Sequence, residues 1–224
     1  GVREQMERFG SRVIRDHMPQ QHREFYQQLP FIFVGHADTR GWPWASILFN
    51  KPGFITSPDN ETLVVCAQPV AGDPLVDALT PGTRLGLLGI DLPTRRRNRL
   101  AAHIIESSEQ QISLQVDQSF GNCPQYIQRR ELETIANERL SASAMTALTT
   151  LDSRAQALIA NSDTFFVASH VSNDSGEASE GADVSHRGGR PGFIRIDSDS
   201  VLTIPDYLGN NHFNTLGNFT ENAQ

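Results

Sequence analysis

The sequence predicts a mainly β protein of the α+β class: two small tandem β-barrels with short flanking helices, the second truncated at its C-terminal end. Two observations predict this class. Short apolar runs are separated by turns rich in glycine and proline, which is typical of antiparallel barrels and not of βαβ sheets. In addition, residues 52–55, Pro-Gly-Phe-Ile, recur as residues 191–194. A recurrence on this scale indicates a duplicated structural unit.

The repeat extends beyond these four residues. The matched pairs are Ser46 with Ser185, Lys51 with Arg190 and Leu63 with Leu202, each 139 residues apart. Upstream, Phe33 and Val34 are matched by Phe166 and Val167 at a spacing of 133 residues. The second half is therefore six residues longer between these two sets of matches, and the extra residues belong to the segment 171–183. This segment is acidic and rich in Ser and Gly, which predicts an exposed hairpin tip.

The first half begins with a predicted helix at 11–28, where Val13, Ile14, Met18 and Phe25 follow helical spacing. A second, shorter helix is predicted at 73–79, ending at a Pro-Gly pair. The strands of this half are expected at 31–34, 44–48, 53–56, 62–67, 84–90 and 112–117.

The second half repeats part of this order. A helix is expected at 153–160, and strands are expected at 164–169, 192–196 and 201–204. The repeat has no counterpart for the strands after residue 84, so the second barrel would have open edges. We therefore expect the N-terminal portion of a longer chain, or a fragment that another chain completes. The expected divisions are a first lobe at 11–130, a helical connection at 131–152, and an incomplete second lobe at 153–224 that carries the ligand site.

Composition excludes several classes of function. The chain has 224 residues, 38% of them hydrophobic, and a net charge of −7, which argues against a nucleic-acid binder. It contains no apolar run of the roughly 18 residues that a membrane span needs, and no secretory leader is visible, so a cytoplasmic protein is expected. Cys66 and Cys123 fit no metal-binding spacing, and no metal site is predicted.

The densest polar cluster is residues 185–192, Ser-His-Arg-Gly-Gly-Arg-Pro-Gly. Arg187 and Arg190 offer forked donors for an anion, and the glycine pair lets backbone N–H groups approach it. Ser185 and His186 add polar groups beside them. The alternative interpretation is an ordinary basic turn between strands.

A second cluster, residues 204–215, joins a strand to a predicted helix. Asn210 and Asn211 would lie at the start of that helix, where they can cap it or present free N–H groups to a phosphate. Arg187 and Asn210 would then face one ligand. The matching positions of the first half lack this chemistry, so one ligand per chain is expected.

Three further features have two interpretations each. Residues 94–99, Thr-Arg-Arg-Arg-Asn-Arg, predict a solvated hairpin tip or a contact with a phosphate. Trp44 can pack at the rim of the core or stack on a ring system. Cys123 precedes a proline and has no His or Asp near it in sequence, so we do not expect a catalytic thiol.

Residues 183–193 and 204–211 together resemble the FMN-binding split-barrel family related to pyridoxamine 5′-phosphate oxidase. Residues 120–128, Phe-Gly-Asn-Cys-Pro-Gln-Tyr-Ile-Gln, are similar to another signature of its predicted flavin-nucleotide-binding branch. The resemblance implies paired six-stranded antiparallel barrels with FMN in the groove between them. It also implies cofactor-binding residues at the positions that match its motifs: Ser185, His186 and Arg187 on a strand, and Asn210 and Asn211 at a helix start. To these we add Arg190 as a further cation and Tyr207 or Trp44 at the ring of the cofactor.

These expectations lead to three hypotheses. The first is an FMN-binding oxidoreductase of unknown substrate, with NAD(P)H or a reductase module as partner, working as a homodimer or an intramolecular pseudo-dimer. The second is a non-catalytic flavin-binding module that shares the fold and the site. The third is a structural barrel without a ligand.

Overall fold

The computed structural model describes residues 14–133, 146–172, 180–209 and 214–222. The elements of the first half are α1 (Gln20–Gln27), β1 (Phe31–Ala37), β2 (Pro43–Phe49), β3 (Ile55–Thr56), β4 (Thr62–Val65), α2 (Leu75–Ala78), β5 (Arg84–Asp91), β6 (Arg96–Ser107) and β7 (Ile112–Asn122). Those of the second half are α3 (Ser153–Asn161), β8 (Thr164–Val171), β9 (Gly181–Gly188), β10 (Arg195–Ile196), β11 (Leu202–Thr203) and α4 (Asn214–Glu221).

The first half forms one antiparallel sheet of seven strands in the order β2-β1-β5-β6-β7-β4-β3. The sheet curls around its core, because Leu48 near one edge and Ile55 at the other belong to the same buried cluster. Two irregularities in the β6–β7 pairing, after Ala101 and after Ile104, help the long strands bend. The expected mainly β class with few short helices is therefore confirmed.

The first helix is shorter than the sequence predicts. Helix α1 begins at Gln20 after Pro19, because proline lacks the N–H that would continue a helix through it. Arg15 instead forms a β-bridge with Ser119, and Met18 reaches the core from non-helical backbone. The prediction of a helix over 14–19 is wrong, and residues 11–13 lie outside the described residues.

Strand β6 was not predicted at all. Arg95, at a φ of 62°, makes the turn, and the twelve residues from Arg96 to Ser107 then pair with β5 and β7. The basic run at 94–99 is thus largely a strand. Of the connection expected to be helical, residues 131–133 and 146–152 are not helical, and 134–145 lie outside the described residues.

The two halves pair their hairpins in the same register. Val34 lies opposite Ser46 in β1–β2, and the repeat-related Val167 lies opposite Ser185 in β8–β9. The β3–β4 and β10–β11 pairs match in the same way: Thr56 lies opposite Val64 and Arg195 lies opposite Thr203.

The β8–β9 hairpin crosses the outer face of β1 and β5. Phe33 and Phe166 stack there with ring centroids 3.5 Å apart, beside a small apolar cluster that includes Leu88 and Val184. Two glycines permit the close approach of β9: a Cβ at Gly35 would lie 2.6 Å from the carbonyl oxygen of Asp183, and a Cβ at Gly86 would lie equally within the contact limit of the β9 backbone. This crossing brings β9 beside β6.

A single methyl group at Gly86 is expected to destabilise the fold. The Cβ of Gly86→Ala would lie 2.4 Å from the carbonyl oxygen of Ala182, so one of the two strands must shift. We expect a loss of about 1–3 kcal/mol in the free energy of unfolding, measured in urea. Gly217→Ala in α4 is the matched control, because its Cβ meets nothing within 4 Å and alanine stabilises a helix by roughly 0.5–1 kcal/mol over glycine. Equal unfolding midpoints for Gly86→Ala and the wild type would contradict the crossing.

Among the described helices, none is long and apolar enough to cross a membrane.

Candidate functional site

A cleft that is open to solvent lies where β9 passes β6. Both halves of the chain contribute to it. Its lining residues are Arg97, Arg99, Asn122, Gln125, Tyr126, Ser185, His186, Arg187, Gly188, Phe193, Pro205, Tyr207, Gly209 and Thr215.

Four of the residues predicted from the sequence share this cleft: Ser185, His186, Arg187 and Tyr207. Ser185 to Arg187 reach it from β9, and Tyr207 reaches it from the extended segment after β11. The first half of the basic cluster, residues 185–188, is therefore strand, and the turn begins at Gly189.

Of the other four predicted residues, the two that the structure describes, Arg190 and Trp44, do not line it. Arg190 lies in an adjoining groove. Trp44 lies on β2, where its indole Nε1 donates to the Asp38 carboxylate at 3.3 Å. Asn210 and Asn211 fall outside the described residues, although Gly209 and Thr215 on either side of them reach the cleft.

Arg97 and Arg99, which enter the cleft from the first half, were not among the predicted site residues, although one of the two interpretations of residues 94–99 was a contact with a phosphate. Residues two apart on a strand face the same side, which would have paired Arg97 with Arg99 only if strand β6 had been predicted. Arg96 contacts another part of the protein: its guanidinium lies 4.8 Å from the ring centroid of Phe25. Because side chains alternate along the strand, Arg97 and Arg99 face the cleft, whereas Arg96 between Arg95 and Arg97 packs against Phe25.

A buried polar network forms one wall of the cleft. The guanidinium of Arg99, whose side chain is 6% exposed, donates to Asp183 at 3.1 Å and to the hydroxyl of Ser185. Thr215, in the first turn of α4, donates to Ser185 Oγ at 2.7 Å. The network ties β6, β9 and α4 together, and a buried ion pair of this kind fixes geometry because breaking it leaves an unpaired charge.

Arg97 lies in a different electrostatic environment. Its Nη2 donates to the amide oxygen of Asn122 at 3.4 Å, and its buried Nε has no partner among the described residues. Burial and, to a lesser extent, the neighbouring charges of Arg99 and Arg187 together lower the pKa of Arg97 to about 10. Arg187 is offset by Asp206 at 3.1 Å, whereas no described carboxylate pairs with Arg97. An anion in the cleft would supply the missing partner.

His186 contributes a neutral ring. Burial lowers its pKa to about 4, with Arg97 and Arg130 lowering it in the same direction. Its buried Nδ1 has no hydrogen-bond partner among the described residues, and its ring meets Phe166 edge-on at 5.5 Å. At neutral pH this side chain therefore offers a hydrogen bond and no charge.

Aromatic side chains line the mouth of the cleft. The rings of Tyr126 and Tyr207 lie 5.2 Å apart at an interplanar angle of 32°, and both remain partly exposed. Phe193 lies nearby in the same lining. The cleft thus combines an unsatisfied cationic interior with an aromatic rim, which suits a ligand with an anionic group and a planar ring.

Comparisons with known proteins give only distant likenesses. No family model matches the sequence, and no curated protein matches it. Among solved structures, HupZ of Group A Streptococcus is 10% identical to this chain, with a TM-score of 0.36. The match covers 46% of this chain and 93% of the HupZ chain. A histidine-to-alanine variant of HupZ gives the same identity and TM-score and is covered over 98% of its length. An F420 reductase is 10% identical with a TM-score of 0.31, covering 45% of this chain and 95% of its own.

Proposed function

We propose that the cleft binds FMN and that the protein is an FMN-binding oxidoreductase whose substrate is unknown. The proposal rests chiefly on the environment of Arg97 in the cleft. This residue is a largely desolvated guanidinium beside two other arginines, and its buried Nε has no partner among the described residues. Buried donors in native proteins are almost always satisfied, and a desolvated guanidinium that lines a cleft is complementary to an anionic ligand.

The donor set fits a phosphate group. Arg97 and Arg187 present forked N–H groups, which match phosphate oxygens in pairs. The Arg99 network holds β6 and β9 at a fixed spacing, so these donors need little reorganisation when the ligand enters. Asn210 and Asn211, proposed as further phosphate ligands, belong to the segment between Gly209 and Thr215, both of which line the cleft.

The rim fits a planar ring. Tyr207, Tyr126 and Phe193 would orient the isoalloxazine and exclude water from one side of it. The neutral His186 would offer its Nδ1 as a hydrogen-bond partner to the ligand.

Bound FMN supplies hydride and electron transfer, so the protein needs no nucleophile of its own. NAD(P)H or a reductase module is the proposed electron donor, and a homodimer or intramolecular pseudo-dimer is the proposed assembly.

A ligand-free structural barrel is the second candidate, and one observation favours it. Two of the three cleft arginines already have carboxylate partners within the chain: Asp183 for Arg99 and Asp206 for Arg187. If the fold is stable with Arg97 charged and without a carboxylate partner, the cleft needs no anionic ligand. A non-catalytic flavin-binding module would differ from the first proposal only in turnover.

A visible absorption spectrum after incubation with FMN and desalting separates these candidates. We expect the protein to retain a two-band flavin spectrum, and Arg187→Ala to retain less of it because a forked donor is lost. NAD(P)H is then added with an electron acceptor, and cycles of bleaching and recovery identify an oxidoreductase. Retained flavin without turnover would identify a binding module. A protein that retains no FMN would contradict the proposal and favour the structural barrel.

A further inference from the structure

A second groove adjoins the cleft on the far side of its aromatic rim. Tyr126, Phe193 and Tyr207 line both spaces, so these rings form the partition between them. The remaining residues of the groove are Gln128, Gly189, Arg190, Pro191 and Gly192.

The backbone at Tyr126 is held in an unusual conformation. Its φ is 66°, in the left-handed region that a bulky aromatic residue rarely adopts. Two contacts secure the ring and the segment that carries it: the Tyr126 hydroxyl donates to the carbonyl of Leu208 at 2.8 Å, and Gln128 Nε2 donates to the carbonyl of Gly189 at 3.0 Å. Strain of this kind is typical of functional sites, where the surrounding structure aims a side chain.

Gly188 makes this arrangement possible. A Cβ at Gly188 would lie 2.1 Å from the carbonyl oxygen of Tyr126, so only glycine lets the segment cross β9 here. Ile127 is buried in the apolar cluster between the two halves, which anchors the segment from the other side. The Tyr126 ring is thus a fixed wall of the groove, and its outer part is exposed.

Arg190 supplies the charge of the groove. It is exposed on the turn after β9, and no described carboxylate or carbonyl binds its guanidinium. In a chain with a net charge of −7, a free arginine beside two open tyrosine rings is complementary to an aromatic anion.

We propose that this groove binds a nucleotide-like aromatic anion, with its ring on Tyr126 and Tyr207 and its phosphate on Arg190. Its role as the site of a second reactant, next to the cofactor, rests on the proposed function; the binding itself does not. Arg190, predicted as a cofactor ligand, belongs to this second site.

Calorimetric titration of the FMN-saturated protein with AMP tests the proposal. We expect AMP to bind, and adenosine and inorganic phosphate each to bind at least about tenfold more weakly, because each lacks one of the two contacts. Arg190→Gln is expected to weaken AMP to the level of adenosine. Tyr126→Gly removes the ring and accepts the positive φ without strain, and is expected to weaken AMP by about tenfold or more. Tyr126→Phe keeps the ring and loses only the hydroxyl bond to Leu208, so it is expected to retain more AMP affinity than Tyr126→Gly.

The same titration on the FMN-free protein and on Arg97→Ala separates this site from the cleft. AMP affinity that is unchanged in both, but lost in Arg190→Gln, supports the groove even if FMN itself fails to bind. AMP that does not bind, that binds equally to wild type and Arg190→Gln, or that FMN displaces would overturn the proposal.

Discussion

Replacing Arg97 with alanine is expected to weaken FMN binding by roughly 10- to 100-fold, the range that corresponds to one charge-assisted hydrogen-bonded pair. The same change at Arg187 should cost less, because Asp206 already offsets that side chain in the free protein. Among the described residues, Arg97 has only the amide oxygen of Asn122, at 3.4 Å, as a hydrogen-bond partner. A bound phosphate would therefore be its principal counter-charge. Fluorescence titration of FMN measures the difference.

The stability of the ligand-free protein gives this prediction a second readout. Because the pKa of Arg97 is lowered in the fold, its charged form is less stable there than in the unfolded chain. Removing it should leave the free energy of unfolding unchanged or raise it, while FMN affinity falls. A purely structural arginine would behave in the opposite way, losing stability with no change in FMN affinity.

Two variants complete the comparison. Arg97→Lys keeps the charge without the fork, so it should recover part of the affinity and fall short of wild type. Arg195→Ala is the matched control, because Arg195 is exposed on β10 and pairs locally with Asp197, away from the cleft. Equal FMN affinity in wild type, Arg97→Ala and Arg195→Ala would remove the cleft as a phosphate site.

Helices, strands and the repeat could be predicted where residues close together in the sequence carry the pattern. The duplicated unit was visible because the two hairpins keep the same residues in register, as at Val34 with Ser46 and Val167 with Ser185. The first helix was predicted too long because apolar spacing outweighed Pro19, which sets its start. Strand β6 was missed because its first residues are arginines, which are typical of a turn when considered alone.

The candidate site was only partly predictable, for a physical reason. Ser185 to Arg187 are adjacent in sequence, so one polar cluster reveals them. Arg97 and Arg99 reach the same cleft only because β9 crosses the first sheet at Gly35 and Gly86. Close packing of two backbones leaves no local signal apart from the glycines themselves. The segment at Tyr126 depends likewise on Gly188, which is distant from it in sequence.

Replacing Asp183 with alanine is expected to lower the free energy of unfolding by about 3–5 kcal/mol, the usual cost of leaving one member of a buried ion pair alone. Arg99 is nearly inaccessible in the fold, so its charge would be left largely desolvated and without its carboxylate partner. Ser185, which also donates to Asp183 at 3.2 Å, would lose an acceptor at the same time. Urea unfolding of the ligand-free protein measures the loss.

The paired change Arg99→Met with Asp183→Leu distinguishes lost charge pairing from lost packing. A buried ion pair exchanged for apolar side chains is often close to neutral, so this double variant should recover most of the stability lost in Asp183→Ala. A double variant as unstable as the single one would show that shape at this crossing matters more than charge.

Asp183→Ala should lower the stability of the ligand-free protein but strengthen the binding of an anionic ligand. The carboxylate offsets Arg99, which lines the cleft, so removing it makes the cleft more positive. If the cleft holds a phosphate, FMN should raise the unfolding midpoint of Asp183→Ala more than that of wild type, because the ligand then replaces the missing carboxylate. The wild-type chain would thus trade some anion affinity for a fold that holds together without its ligand. An equal or smaller stabilisation by FMN in the variant would mean that Arg99 serves the fold alone, leaving Arg97 and Arg187 as the cations of the site.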